Sequence, residues 1–321
     1  MNHRLALALK GAAMGMAEVV PGVSGGTVAF ITGIYERLLE AITAFSPALF
    51  SVYREEGFSG VWTRIQGPFL INLLVGMLGG LIVGVFAISY LLEAYPPVVW
   101  SLFFGLILAS VWYIGRQVEP WSVLTAAALL VGTGVALTIS MGSPASGNEA
   151  LWFVYLSGVI AISALLLPGV SGSFILLLLG MYSYIVPSVK AALSGAGTEA
   201  MLVVIVFALG CLTGLATISR VLSWLFERYP QPTLALLTGF MLGSLYKLWP
   251  WRVATVYLTD DAGQWVLDDE GLPKVVSEKL VLPAEYLEAT GFDPMTLASV
   301  IAMLGGVLLI VWMARREPLA V

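Results

Sequence analysis

Cysteine and histidine are almost absent: Cys211 and His3 stand alone in 321 residues. A single cysteine, set in the middle of an apolar run, excludes an intrachain disulfide. A single histidine near the N-terminus excludes a Cys/His zinc site, a Ser-His-Asp triad and a haem His pair. Charge is scarce as well, with Asp, Glu, Lys and Arg making up 11% of the chain, where a soluble domain carries about a quarter. No short apolar stretch followed by a small-residue cleavage site opens the sequence, so no removed signal peptide is expected. The net charge of −5 arises largely in one late loop, and no nucleic-acid partner is expected.

What remains is apolar: 59% hydrophobic residues and a mean hydropathy of +0.93. Several runs are long enough to cross a hydrocarbon core of about 30 Å, which takes roughly 20 helical residues. The charged residues fall almost entirely between those runs. The composition predicts an all-α polytopic membrane protein.

The chain repeats itself. Val20-Pro21-Gly22-Val23-Ser24-Gly25-Gly26 returns as Leu167-Pro168-Gly169-Val170-Ser171-Gly172-Ser173, and at the same spacing Gly33 and Tyr35 return as Gly180 and Tyr182. A second stretch recurs at a slightly shorter spacing. Gly76, Gly80, Ser89, Glu93, Tyr95, Pro96, Gly105 and Ser110 align with Gly210, Gly214, Ser223, Glu227, Tyr229, Pro230, Gly239 and Ser244. The shortfall fits a longer connector around 46–67 in the first half. Each half predicts one Gly/Pro-broken apolar element followed by three uninterrupted spans. The first half, 1–145, has its broken element at about 5–45 and spans at about 68–92, 98–115 and 121–140. The second, 146–321, has its broken element at about 151–189, spans at about 200–226, 233–249 and 295–314, and an acidic loop at 252–294.

Positive charge decides how the broken elements sit. If each is a re-entrant hairpin, ten basic residues, among them Arg4, Lys10, Arg54, Arg64 and Arg316, share one side with both termini. Lys190, Lys247, Arg252, Lys274 and Lys279 take the other. The positive-inside rule then puts both termini in the cytoplasm. If the first element crossed instead, Arg54 and Arg64 would be stranded opposite Arg4 and Lys10. Re-entrance leaves three crossings per half, so the halves become inverted repeats, the architecture of many secondary transporters. The loop 252–294 is then external, with nine acidic and three basic residues. Its stretch 255–276, with turns at 260–263 and 269–271, predicts a small hairpin, and 283–290 a short helix ending before Gly291.

Pro-Gly-Val-Ser-Gly inside hydrocarbon breaks a helix, since proline removes a donor and glycine loosens the backbone. Unpaired backbone groups in lipid cost several kcal/mol each, so such a break persists only when buried in protein or facing a polar cavity. The following half-helix offers free N–H groups at its positive end. Glycines admit a ligand closely, and a serine hydroxyl adds a donor. About ten helical residues reach roughly 15 Å, close to the midplane. The residues predicted to cradle an anion are Ser24, Gly25, Gly26, Thr27, Ser171, Gly172 and Ser173, with Pro21, Gly22, Pro168 and Gly169 as the breakers. A tight hairpin tip that only packs on its neighbours is the blander alternative.

Glu18 lies just before Pro21, where the other half has Leu165, so the fold does not require a carboxylate there. An ionisable residue inside a membrane segment points to function, here as a proton carrier or a charge partner. Arg220, whose counterpart is Phe86, is placed to meet an anionic headgroup, to pair with Glu18, or to snorkel to the interface. Glu36 and Arg37 read as interfacial, Glu93 and Glu227 as turn residues before Tyr-Pro, and the ten tryptophans as a belt at the spans' ends.

Glu18–Thr27 followed by Gly33-Ile34-Tyr35-Glu36, together with Leu167–Ser173 and Gly180-Met181-Tyr182, resembles the paired signatures of a bacterial membrane family. Long catalogued as a domain of unknown function, it is associated with polyprenyl-phosphate translocation under the name PopT. The similarity covers nearly the whole chain. It implies return of undecaprenyl phosphate, the lipid carrier of cell-envelope synthesis, from the outer to the inner leaflet of the bacterial cytoplasmic membrane. It also implies a lipid substrate among bilayer lipids; no cofactor is expected, and a homo-oligomer is allowed.

Two rivals stand beside that expectation. Undecaprenyl-pyrophosphate phosphatases are also duplicated membrane proteins, with a PGxSRSG-like motif in a broken helix. Here Gly25 and Gly172 replace the arginine, and phosphoryl transfer wants a positive clamp on its oxygens. The other rival is a transporter of a small soluble anion.

Overall fold

A computed structural model of the chain describes residues 3–20, 23–142, 147–195, 197–257, 265 and 275–316. The first broken element consists of α1 (His3–Ala17), α2 (Gly25–Ile31) and α3 (Tyr35–Thr43). Pro21 and Gly22 lie outside the described residues. The chain doubles back at the break: Lys10 Nζ, midway along α1, donates to the carbonyl of Thr32, just past α2, at 2.9 Å. An exposed connector helix, α4 (Leu49–Arg64), kinks at Gly57, where φ is +68°. Three long helices follow, α5 (Gly67–Ala94), α6 (Pro96–Gly115) and α7 (Val123–Ser140).

The second half repeats this order with α8 (Leu151–Leu166), α9 (Gly172–Leu178), α10 (Tyr182–Leu193), α11 (Thr198–Arg228) and α12 (Pro230–Ser244). Gly147, ahead of α8, lies against the carbonyl of Gly180, past α9, so α9 also runs back along its partner. α10 then departs from α9 at 115°. After α12 come β1 (Arg252–Tyr257), β2 (Val275–Leu280), α13 (Pro283–Thr290) and α14 (Thr296–Arg316).

Among the described residues five helices, α5, α6, α7, α11 and α14, are long and apolar enough to cross a membrane. The sixth predicted span, 233–249, is shorter than expected: α12 has 15 residues and stops at Ser244. Pro250 bars only Trp249 from a helix and leaves the stop at Ser244 to the packing. α12 is buried along nearly its whole length from Thr233 to Ser244, so protein rather than lipid thickness sets its length.

The duplication reappears in the packing. Gly76 and Gly80 of α5 press on the carbonyls of Ala8 and Ala12 in α1, and Gly210 and Gly214 of α11 press on those of Tyr155 and Val159 in α8. Gly11 against Leu73 and Gly158 against Phe207 close the same two pairs from the other side. Each residue is related to its counterpart by the spacing of the sequence repeat. A Cβ at any of these glycines would collide with backbone, which is how small residues bring membrane helices together. The other two pairs cross between halves: Gly105 of α6 meets Met303 of α14, and Gly239 of α12 meets Leu129 of α7. The halves are therefore interlocked.

Local geometry is duplicated too. Gly33 and Gly180 have φ of +69° and +68°, a left-handed conformation that glycine adopts at no steric cost. Each lets the next amide reach back five residues, Ile34 to Ala29 at 3.0 Å and Met181 to Leu176 at 2.9 Å, the Schellman closure of a helix C-terminus. Tyr95 and Tyr229 precede α6 and α12, and Pro96 and Pro230 take the first helical position, where a missing N–H is harmless. Glu93 and Glu227 are exposed beside these turns.

The late loop carries the expected hairpin, with Arg252 opposite Leu280 in an antiparallel pair. Its strands start earlier and end later than 255–276, and the turns predicted at 260–263 and 269–271 lie outside the described residues. α13 ends at Gly291 in the left-handed conformation, φ +72°, where the sequence predicts its stop. The main core joins Val20, Val23, Phe30, Tyr35 and Leu39 of the first broken element to Leu234, Leu237 and Met241 of α12.

Candidate functional site

The two helix breaks meet. Ser24 caps α2, its oxygen accepting from the Gly26 N–H at 3.1 Å while its hydroxyl donates to the Leu165 carbonyl at 2.8 Å. Thr27 Oγ1 accepts from the Gly169 N–H at 2.8 Å. Gly26 lies so close to the second break that a Cβ there would stand 2.6 Å from the Leu165 oxygen. Tyr35 completes the joint with a 2.8 Å bond from its hydroxyl to the Leu166 carbonyl. These contacts follow from helix chemistry: the last carbonyls of α8 have no intrahelical partner, and the first tip supplies donors to them. Pro168 is buried, and Gly169 has φ +84° with a Cβ position only 2.7 Å from the Phe240 carbonyl of α12.

Glu18 folds over the first tip, and its Oε1 accepts the Gly25 N–H. A carboxylate thus occupies the place at the start of α2 that the sequence predicts for an anion. Ser24 and Thr27 are fully buried, and with their bonds satisfied the first tip is closed in this conformation.

The second tip is bonded differently. Ser171 Oγ accepts the Phe174 N–H at 3.4 Å and lies 3.0 Å from Ser173 Oγ, and Gly172 packs on the Ala161 carbonyl. Ser173 is only half-buried. Among the described residues no hydrogen bond joins the Ser24–Thr27 set directly to Ser171, Gly172 or Ser173. The structure brings the first set to the 165–169 break and leaves the second as its own cluster.

Arg220 does not pair with Glu18. Its Nη1 donates to the Ala216 carbonyl at 2.6 Å and its Nη2 to the Phe45 carbonyl at 3.0 Å. It closes the carbonyl end beyond α3, a favourable place for a cation. Arg37 donates from Nε to Gln66 Oε1 and lies over the Phe69 ring.

The sequence places no cation in either tip, yet the fold brings one beside the second. Lys247 Nζ sits 5.0 Å from the ring centre of Phe174, the residue after Ser173. It binds Glu278 Oε2 at 3.0 Å, and Arg252 Nη1 binds the same oxygen at 2.8 Å. Burial alone would raise the Glu278 carboxyl, but the charges of Arg252 and Lys247 outweigh it and hold the group below its ordinary value. The only sequence signal for this cluster is two cations in Tyr246–Arg252, directly after an apolar run. Tyr35 carried a signal in its repeat with Tyr182, though none for its bond across the halves. No cluster suited to a metal ion occurs among the described residues.

The profile of the VCA0040-like family, described as undecaprenyl phosphate translocase-like, matches residues 14–266. A protein of Vibrio cholerae serotype O1 (strain ATCC 39315 / El Tor Inaba N16961) named polyprenyl-phosphate transporter is 40% identical over 315 residues, 98% of this chain and 97% of that one. A protein of the same name from Staphylococcus aureus (strain NCTC 8325 / PS 47) is 32% identical over 261 residues, 75% of this chain and 85% of that one. No solved structure matches the chain. Its long apolar helices and this kinship make it a multi-pass membrane protein. The chain belongs to the VCA0040-like, undecaprenyl phosphate translocase-like family.

Proposed function

We propose that the chain carries a polyprenyl phosphate, undecaprenyl phosphate in the first instance, from the outer to the inner leaflet of the bacterial cytoplasmic membrane. The observation that carries this reading on the structural side is the Glu18 carboxylate seated on the Gly25 N–H at the joint of the two breaks. A site that already holds an internal anion at a helix start suits a phosphate headgroup. The names of the relatives supply the lipid.

The two halves are inverted repeats with α1–α2 and α8–α9 as re-entrant hairpins, both termini cytoplasmic and the β-hairpin external. The duplicated glycine contacts support the repeat, and the bias of basic residues supports the orientation. The joint opens when the two broken elements shift against each other, freeing Ser24 and Thr27 on one side and Ser171 and Ser173 on the other to meet the headgroup. Burying a phosphate charge is the costly step. A proton taken by Glu18 lowers that cost, because a neutral carboxyl releases Gly25 without leaving a second charge behind. The tail stays in lipid.

The test is leaflet exchange of a labelled prenyl phosphate in proteoliposomes, comparing wild type with Ser24→Ala/Ser171→Ala, with folding checked by thermal melting. Accelerated exchange by wild type and loss of it in a folded double variant put the headgroup at the tips. Absence of exchange by wild type returns the soluble-anion reading, and release of inorganic phosphate from a prenyl pyrophosphate returns the phosphatase. Exchange insensitive to a pH gradient rules out proton coupling.

A further inference from the structure

The charged cluster beside the second tip has a chemistry of its own. Lys247 and Arg252 converge on one oxygen of one carboxylate, Glu278 Oε2, so the described residues of the cluster carry two positive charges against one negative. The guanidinium is held in place by the Trp100 ring at 4.4 Å, and only 10% of its side chain is exposed. The cluster lines a cavity of about 260 Å³ that also takes in Ser140 of α7 and Tyr246. That is below the roughly 300–1,000 Å³ of pockets for drug-sized ligands, enough for a headgroup and too little for a long tail.

Stabilising the hairpin is a poor explanation for three charges here. Buried ion pairs often contribute no more than apolar side chains of similar volume. The base of the hairpin is already anchored by Trp249 Nε1 to the Val281 carbonyl at 2.9 Å and Trp251 Nε1 to the Pro294 carbonyl at 2.8 Å. A forked guanidinium and an ammonium around a small polar cavity are instead the partners of a phosphate monoester, with its extra oxygen and second charge.

We infer that Lys247 and Arg252 form a second phosphate-monoester site, in which the Glu278 carboxylate is the resident anion that an incoming phosphate displaces. Assigning this phosphate to the transported lipid rests on the transport function proposed above. The site then receives the headgroup beside the start of α9, with Lys247 on Phe174 handing it towards Ser173 and Ser171. Glu278 returns to the two cations once the headgroup has moved on, so the cluster is never left without an anion.

The experiment uses the full chain in lipid nanodiscs and measures binding of geranylgeranyl phosphate and of inorganic phosphate, with geranylgeraniol as the phosphate-free control. Glu278→Gln removes the competing charge and is expected to tighten phosphate binding roughly tenfold, the scale of a hydrogen bond to a charged group. Lys247→Met, which keeps length and contact with Phe174, weakens it to a similar degree. Arg252→Lys keeps the charge and loses the fork, a milder variant that also weakens binding. Phosphate also raises the melting temperature of Glu278→Gln more than that of wild type. A response of geranylgeranyl phosphate assigns the site to a lipid headgroup, and a response of inorganic phosphate alone assigns it to the free anion. Unchanged binding of both probes in folded Glu278→Gln and Arg252→Lys overturns the site. Leaflet exchange measured in parallel separates the two ideas. Exchange with unmoved binding sinks this site and spares transport, whereas shifted binding with no exchange by wild type does the reverse.

Discussion

The hydroxyl of Tyr35, the first residue of α3, donates a 2.8 Å hydrogen bond to the carbonyl of Leu166, the last residue of α8. The break at Pro168 strips that carbonyl of an intrahelical partner, and a residue from the other half of the chain replaces it. Tyr35 is 2% exposed and packs edge-on against Phe30 and Phe226, so ring and hydroxyl are both fixed. The halves are joined at their breaks by directed bonds as well as by apolar surface, and any motion that opens the joint must exchange those bonds for others.

Replacing Tyr35 by Phe keeps the ring and orphans the Leu166 carbonyl. Leaving a buried polar group unpaired costs about 1–3 kcal/mol, so Tyr35→Phe lowers the thermal unfolding midpoint. Its repeat counterpart Tyr182 is 41% exposed, and Tyr182→Phe is expected to stay within about 0.5 kcal/mol of wild type. Equal effects at the two positions would mean that the bond across the breaks contributes nothing particular.

Thr27 tests the same joint from the other side, since its Oγ1 accepts the Gly169 N–H. Thr27→Val matches the shape and removes the acceptor, and it is expected to destabilise by about 1–3 kcal/mol. Thr27→Ser keeps the oxygen and recovers most of the loss. Chemical or thermal unfolding of both variants decides it, and a serine as damaging as valine would show that packing of the methyl, not the bond, matters.

The outline of this fold was legible because lipid punishes irregular backbone. Long runs without proline predict spans, and the repeated Gly33 and Gly180 turned out to hold the same left-handed turn. The repeat of Gly76 and Gly80 as Gly210 and Gly214 corresponds to a repeated helix contact. α12 was less legible, because hydropathy measures preference for lipid and says nothing about a helix enclosed by protein. The fate of Glu18 and Arg220 was legible only in part. Sequence marks both as unusual in apolar surroundings, yet which oxygen each nitrogen reaches depends on side-chain distances of a few ångströms. Lys247 and Glu278 are 31 positions apart, and no local pattern pairs them.

Close approach at Gly26 gives a prediction with a built-in control. A methyl there meets the Leu165 and Leu166 carbonyl oxygens at 2.6 and 3.0 Å, and backbone oxygens at a helix end have little room to give. Overpacking of this kind costs about 1–3 kcal/mol, and Gly26→Ala should also slow prenyl-phosphate exchange by shifting the joint. Gly79 of α5 has nothing within 4 Å of its Cβ position. Gly79→Ala therefore gains helix propensity and is expected to be neutral or stabilising by up to about 1 kcal/mol. Melting temperatures of the two alanine variants, measured side by side, check the pair.

Acidification probes the Glu278 cluster. Burial opposes the charged carboxylate, but Arg252 and Lys247 prevail and hold its folded-state value below the ordinary 4.5. A carboxyl whose value is depressed on folding contributes stability that is fully present above its unfolded value and lost as pH falls through the folded one. The difference in melting temperature between wild type and Glu278→Gln is therefore expected to hold constant from neutral pH to about pH 5, to shrink below pH 4.5, and to disappear once the carboxyl is protonated. Measured without phosphate, the same series shows whether the cations need an anion in place. A difference that grows on acidification would mean that the carboxylate is strained rather than held, and Lys247 and Arg252 would then be bound by something other than its charge.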